Sequence, residues 1–285
     1  MERQSKGSML CPGCRKLVSV SAERCPHCGA ARPGLWGFGP AIARRFGGQL
    51  DPVRAITGVC VGFYVLALAV DLQSLFGGGG GGILGILSPT GRALRILGAT
   101  APVDLLAGRP WTILTAIYLH GGILHILFNV LWIRNLAPEV QRAFGPARFF
   151  LIWTFAGTLG FLASDFFPLI GIGRHSLSVG ASGSIFGLLG ALIVYGRTMG
   201  ASMMTRQLWT WAILLGVMGF LLPGVDNFAH AGGFAGGWIA ASLFRGGIGR
   251  PAGRVLPAVA LGAGALTLLG FVFSVWTALV FFLSR

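Results

Sequence analysis

Apolar residues crowd into seven stretches, at about 55–75, 122–143, 148–168, 182–199, 207–223, 226–245 and 255–283, each near the roughly 20 residues an α-helix needs to cross a bilayer. Short segments rich in arginine, glycine and proline separate them. The pattern predicts an all-α polytopic membrane protein with seven spans. The second stretch is the least plain, because polar residues punctuate it. Between the first two lies a long loop, about 76–121, holding the run Gly77–Gly82 and then the apolar piece Ile83–Leu87. That loop is expected to flex at its glycines and to lie partly in the membrane interface. Cys60, in the first stretch, is expected to be a small buried apolar side chain.

Composition narrows the class. The chain is 54% hydrophobic and 11% charged, whereas soluble domains carry about 25% charged residues. Its 47 glycines in 285 residues imply close helix contacts. A net charge of +14 would suit nucleic acid, but the basic residues are spread over the short segments between apolar runs, so nucleic acid is not an expected partner. That spread reports topology instead. With the N-terminus inside, seventeen of the 22 Lys and Arg residues fall on the inner side, and Arg92, Arg95, Arg109, Arg174 and Arg285 on the outer side. The expected address is an inner or plasma membrane of bacterial type, with a cytoplasmic N-terminus. No secretory signal precedes the first apolar run near Ala55, which is expected to insert as an uncleaved anchor.

Ahead of the membrane segments stand two Cys-x-x-Cys knuckles, Cys11 and Cys14, then Cys25 and Cys28. Four thiolates at this spacing suit one tetrahedral zinc ion, and so small a segment holds no core without a metal. Disulfides are the rival reading, opposed by the reducing compartment that the charge bias assigns to this end. His27 could replace a neighbouring thiol. The module looks like a zinc ribbon, a fold that docks proteins or nucleic acid, and the residues do not choose between these. Arg32–Arg54 reads as a basic linker along the membrane face, with Arg44, Arg45 and Arg54 suited to anionic headgroups.

Polar side chains in hydrocarbon cost a few kcal/mol, so they are functional suspects. One group is His120, His125 and Asn129 in HGGILHILFN. His125 and Asn129 share a helical face, whereas His120 and His125 diverge, which disfavours a metal pair and suits donors to an anionic oxygen. A second is Ser182 in SVGASGSIFGLLG, between Gly180 and Gly183. Ser184 stands where a Gly-x-Ser-x-Gly elbow would need glycine. Taken alone, this segment reads as interhelical packing material. A third is DNFAHAGGFAGG, where His230 is followed on nearly the same face by Gly233 and Gly237. That stripe permits very close approach of another helix, and a histidine brought against a serine is an arrangement for nucleophilic catalysis. Phe186, one turn after Ser182, could fix the plane of the imidazole. Asp226, four residues before His230, could complete a triad, though a residue there more often caps its own helix.

The three groups together resemble the rhomboid family of intramembrane serine proteases. The resemblance rests on His120-Gly121 with His125 and Asn129, on Gly180-Ala181-Ser182-Gly183, and on Ala229-His230 with Gly233 and Gly237, in the second, fourth and sixth stretches. It implies Ser182 as nucleophile, His230 as general base, His125, Asn129 and the Ser182 amide as oxyanion donors, and a structural part for His120. The implied architecture is a six-helix rhomboid-like bundle over 55–245, one additional C-terminal helix within 246–285, a zinc ribbon over 1–31 and a linker over 32–54. Catalysis would need no cofactor, and the substrates would be single-span membrane proteins cut near the outer face of the bilayer. The chain departs from the family at Thr112, where arginine often follows the tryptophan, and at Gln141, where glutamate is frequent, with Glu139 close by. Two other readings remain: a catalytically silent scaffold that binds transmembrane helices, and a transporter, which the lack of paired carboxylates and of an inverted repeat opposes.

Overall fold

A computed structural model describes residues 6–11, 16–29, 32–34, 51–70, 87–173, 176–222, 224–253 and 255–283. Cys14, most of the linker, the run Gly77–Gly82, Arg174 and Arg285 lie outside these residues. The chain divides into two units, Met1–Ala55 and Ile56–Arg285.

In the first unit, strands β1 (Ser8–Leu10) and β2 (Leu17–Ser19) pair antiparallel, with Met9 opposite Val18. Its core is minimal: Cys11, Val18 and Cys25, flanked by Met9 and Ala22.

Among the described residues of the second unit, the regular elements are all helices apart from one isolated bridge, and it is a polytopic membrane fold. Each of the seven apolar stretches coincides with a helix: α1 (Pro52–Val70), α5 (Ile123–Phe144), α6 (Pro146–Leu169), α7 (Ser182–Thr198), α8 (Ser202–Leu221), α9 (Asn227–Phe244) and α10 (Val255–Leu283). By length and composition alone, α1, α6 and Val255–Val280 of α10 suffice to cross a membrane. The pair Thr112–Tyr118 and Ile123–Phe144, bent by 88° at a short break, would make a fourth span. The remaining three, α7, α8 and α9, fall below that measure of length and apolarity, although α8 exposes an apolar face that includes Ile213, Val217 and Phe220. At 17 residues α7 is short, but it is buried almost throughout, so protein surrounds it. α8 begins five residues ahead of its apolar stretch because the mixed segment Ser202–Arg206 is also helical.

The stretch read as a loop between the first two spans is a correction. It contains α2 (Gly91–Leu97), α3 (Pro102–Leu106), α4 (Thr112–Thr115) and a 3-10 turn, Ala116–Tyr118. Helices this short carry too few residues for an apolar period to stand out. Their ends are nonetheless well marked. Thr90 caps α2 by accepting from the Ala93 amide, Gly98 closes it with φ 101°, and Pro102 opens α3. Buried Asp104 ties the segment together, accepting from Arg95 at 3.1 Å and Arg109 at 2.8 Å.

Glycines set the centre of the bundle. A Cβ on Gly233 would run into the Gly183 backbone, and one on Gly237 into the Gly187 backbone, so α9 meets α7 backbone to backbone. On the other side of α9, a Cβ on Gly236 would lie 3.0 Å from Ala156 Cα of α6, and one on Gly232 would lie 2.8 Å from the Leu159 carbonyl oxygen. Two glycine stripes one residue apart thus wedge α9 between α6 and α7, with no side chain to hold them apart. The serine at the head of α7 and the histidine at the head of α9 inherit that closeness.

α10 packs on α6, α4 and α2 and reaches α1 through a ring contact. The Trp111 indole donates to Ser274 Oγ at 3.0 Å. Phe271 stacks on Phe63 of α1 at 3.9 Å between ring centroids.

Candidate active site

The approach to Ser182 is a non-helical segment, 176–181, held by its backbone, in which Ala181 already turns into the helix. Ser178 exchanges both bridge hydrogen bonds with Thr100, at 2.7 and 3.2 Å, and the Gly180 amide donates to the Ala116 carbonyl at 2.9 Å. Gly180 has φ +134°, a conformation that side chains rarely adopt, and a Cβ there would lie 2.7 Å from His125 Nε2 and 3.8 Å from Ser182 Oγ. Both constraints require glycine, and together they place the His125 ring beside the serine.

Ser182 is the first residue of α7, where a backbone amide has no partner within its own helix. The helix N-terminus also carries partial positive charge, which favours negative charge near this amide. One residue further, Gly183 admits the Ala229 carbonyl, which would stand 3.1 Å from a Cβ. Ser184 points elsewhere, its hydroxyl donating to the Trp153 carbonyl at 2.8 Å in the buried contact with α6.

His230 reaches the serine from the first turn of α9. Its Nε2 lies 2.9 Å from Ser182 Oγ. Its ring stacks on Phe186 with centroids 4.3 Å apart and planes inclined by 18°. Nδ1 is buried without a hydrogen-bond partner among the described residues. Asp226 does not supply one: Oδ1 accepts from the Ala229 amide at 2.9 Å as the cap of α9, and Oδ2 accepts from the hydroxyls of Ser164 and Ser178. The serine and histidine therefore form a pair without a third carboxylate.

On the facing side, His125 Nδ1 accepts from the Gly121 amide at 3.4 Å. The Asn129 amide nitrogen donates to the His125 carbonyl at 2.7 Å, along its own helix, while its Oδ1 has no partner among the described residues. His120 is fully buried, edge-on to His125 at 5.1 Å. The structure thus collects Ser182, His230, Phe186, Gly180 and His125 in one place, with Asn129 one turn behind His125 and His120 packed beneath.

Several polar groups around the site escaped the sequence reading. Asp165 on α6 is fully buried, and its Oδ2 accepts from Thr100 Oγ1 at 2.6 Å. Thr100 Oγ1 also lies 3.1 Å from Thr112 Oγ1, which donates to the Arg109 carbonyl at 2.8 Å. Thr112 therefore joins a hydroxyl chain with Thr100 and Asp165. An aspartate near the end of an apolar span was the signal for Asp165. Ser164 and Ser178 carried none, being single hydroxyls in mixed sequence. Glu139, near Gln141, pairs with Arg142 at 2.7 Å on the same helix.

In the first unit the sulfurs of Cys11, Cys25 and Cys28 all lie within 4.8 Å of one another. Cys11 and Cys28 are 3.7 Å apart. That separation matches two corners of a tetrahedron with zinc–sulfur bonds of about 2.3 Å, not a disulfide of about 2.05 Å. Burial would raise the Cys25 thiol, but hydrogen bonds from the His27 and Cys28 backbone and from the Cys11 and Cys28 side chains bring it down to about 7. A thiol so disposed is a ready metal ligand. The residues present fit zinc.

Against known proteins, the family model for the rhomboid domain matches residues 107–246. RHOMBOID-like protein 4 of Arabidopsis thaliana is 34% identical over 163 residues, covering 54% of this chain and 39% of that protein. The rhomboid protease GluP of Bacillus subtilis (strain 168) is 39% identical over 139 residues, covering 47% of this chain and 26% of that protein. The rhomboid homologue YdcA of the same bacterium is 30% identical over 139 residues, covering 48% of this chain and 68% of that protein. The chain thus spans well under half the length of the first two.

Proposed function

The chain belongs to the rhomboid family, and from that premise we propose that it is an intramembrane serine endopeptidase in which Ser182 and His230 act as a dyad. The observation that carries this reading is the 2.9 Å contact between His230 Nε2 and Ser182 Oγ, made by a ring already stacked on Phe186.

In the proposed reaction, Nε2 takes the hydroxyl proton as Oγ attacks the scissile carbonyl carbon. The resulting oxyanion is received by the Ser182 amide at the helix N-terminus and by His125, with Asn129 joining once its amide turns from the His125 carbonyl. The imidazolium returns the proton to the leaving amine, and the peptide bond breaks. Water, deprotonated by the same Nε2, then releases the acyl group and restores the serine. Hydrolysis in a bilayer requires a hollow open to water, and the positive-inside distribution supports an opening on the outer side with a cytoplasmic N-terminus. Substrates are transmembrane segments of single-span proteins, weakened by glycine or proline so that a carbonyl can leave its helix.

The domain assignment follows. Residues 1–31 form a zinc ribbon with Cys11, Cys25 and Cys28 as ligands and Cys14 as the fourth. Residues 32–54 link it to a catalytic core over 55–245, and 246–285 add the last helix. Zinc would hold the module together and take no part in catalysis.

The test is cleavage of a reporter with a single glycine-containing transmembrane segment in reconstituted membranes. Wild type should cut, while folded Ser182→Ala and His230→Ala should not. A wild type that binds the reporter, leaves it intact and resists serine-directed phosphonates would instead be a silent scaffold.

A further inference from the structure

Three elements converge on one carboxylate. Asp226 Oδ1 accepts from the Ala229 amide at 2.9 Å, which caps α9 one residue before His230. Its Oδ2 accepts from Ser178 Oγ at 2.8 Å, in the segment leading to Ser182, and from Ser164 Oγ on α6. The two hydroxyl oxygens are 3.3 Å apart. One side chain thus binds the helix that carries His230, the segment that leads to Ser182, and the helix on which both rest.

We propose that Asp226 is a positioning residue that sets the register between Ser182 and His230, acting through Ser178 and Ser164 rather than through the imidazole. The proposal rests on the dyad reading above. Its physical basis is a gap in the other restraints. The glycine stripes bring α7 and α9 to backbone contact, but van der Waals contact along smooth stripes resists sliding weakly, whereas a hydrogen bond is directional. The backbone ties of 176–181 run to Thr100 and Ala116, not to α9. Among the described residues, the Ser178–Asp226 bond is the hydrogen bond that joins this segment to α9, besides the Ser182–His230 contact itself. Without it, the nucleophile and the base are held from different sides of the bundle.

The experiment uses the full chain in vesicles and two readouts: kcat and KM on a transmembrane reporter, and the rate at which a fluorophosphonate labels Ser182. Ser164→Ala with Ser178→Ala leaves the α9 cap intact and removes both hydroxyls. It should lower kcat and the labelling rate together by roughly tenfold, with KM unchanged, because small misplacements of reacting groups cost rate rather than affinity. Asp226→Asn should remain near wild type, since its oxygen can still cap Ala229 and its NH2 can donate to both hydroxyls, while Asp226→Ala should fall at least as far as the double variant. Should the double variant fail to fold, Ser178→Ala alone should show the same kcat loss on a smaller scale. A folded variant lacking Ser178 Oγ that labels and cleaves at the wild-type rate overturns the proposal while leaving the dyad standing. Cleavage or labelling that persists in Ser182→Ala overturns the dyad, and this proposal with it.

Discussion

The imidazole of His230 lies flat against the ring of Phe186, 4.3 Å away, while its Nε2 stands 2.9 Å from Ser182 Oγ. Phe186 and Ser182 are four residues apart on α7 and so share a face. A single helix therefore supplies both the wall that orients the ring and the hydroxyl it addresses. Phe186→Leu keeps an apolar side chain but removes the flat wall, and kcat on a transmembrane reporter should fall roughly tenfold through loss of ring orientation. Phe186→Tyr should retain most activity. Equal kcat in wild type and Phe186→Leu would remove Phe186 from the reaction.

The glycine contacts predict a stability difference. Gly233→Ala and Gly237→Ala place a methyl group against the backbone of Gly183 and Gly187, which cannot move as a side chain can. Each should cost about 1–3 kcal/mol, the usual penalty of overpacking. Gly216, in α8, has nothing within 4 Å of an added Cβ. Gly216→Ala should therefore stabilise its helix by about 0.5–1 kcal/mol. Thermal unfolding in detergent should order the variants this way, and a neutral Gly233→Ala would contradict the backbone contact.

Trp111 and Ser274 link the short α4 to the last helix through a hydrogen bond of 3.0 Å. A double-mutant cycle with Trp111→Phe and Ser274→Ala should give a coupling of about 1 kcal/mol in unfolding free energy. Additive losses would mean that this hydrogen bond does not couple α10 to the residues that open α4.

Metal content tests the N-terminal module. Protein purified without chelator should carry zinc, and Cys25→Ser should lose it, because a thiolate is exchanged for a hydroxyl that binds zinc poorly. A strong chelator should make residues 1–31 sensitive to protease. Metal analysis showing equal zinc in wild type and Cys25→Ser would exclude Cys25 as a ligand.

The sequence by itself determined the seven long helices and marked Ser182, His230, His125 and Asn129, but not the short helices α2 to α4 or the hydroxyls around Asp226. Helix length and apolar content are local properties, and lipid makes them decisive because every backbone group inside it must be bonded within the segment. The same intolerance makes Ser182, His125, Asn129 and His230 conspicuous, and the spacing of Gly233 and Gly237 shows which face of α9 can come close. Only the tertiary structure decided what these faces meet. That Ser184 turns to Trp153, that Asp226 binds Ser178 and Ser164 instead of His230, and that Trp111 reaches Ser274 all depend on contacts between residues 31 to 163 positions apart. Single hydroxyls and carboxylates announce that they need partners. Which partner each finds is settled by how the helices pack, because a polar side chain loses water on burial and takes whichever donor or acceptor the neighbouring helix brings within reach.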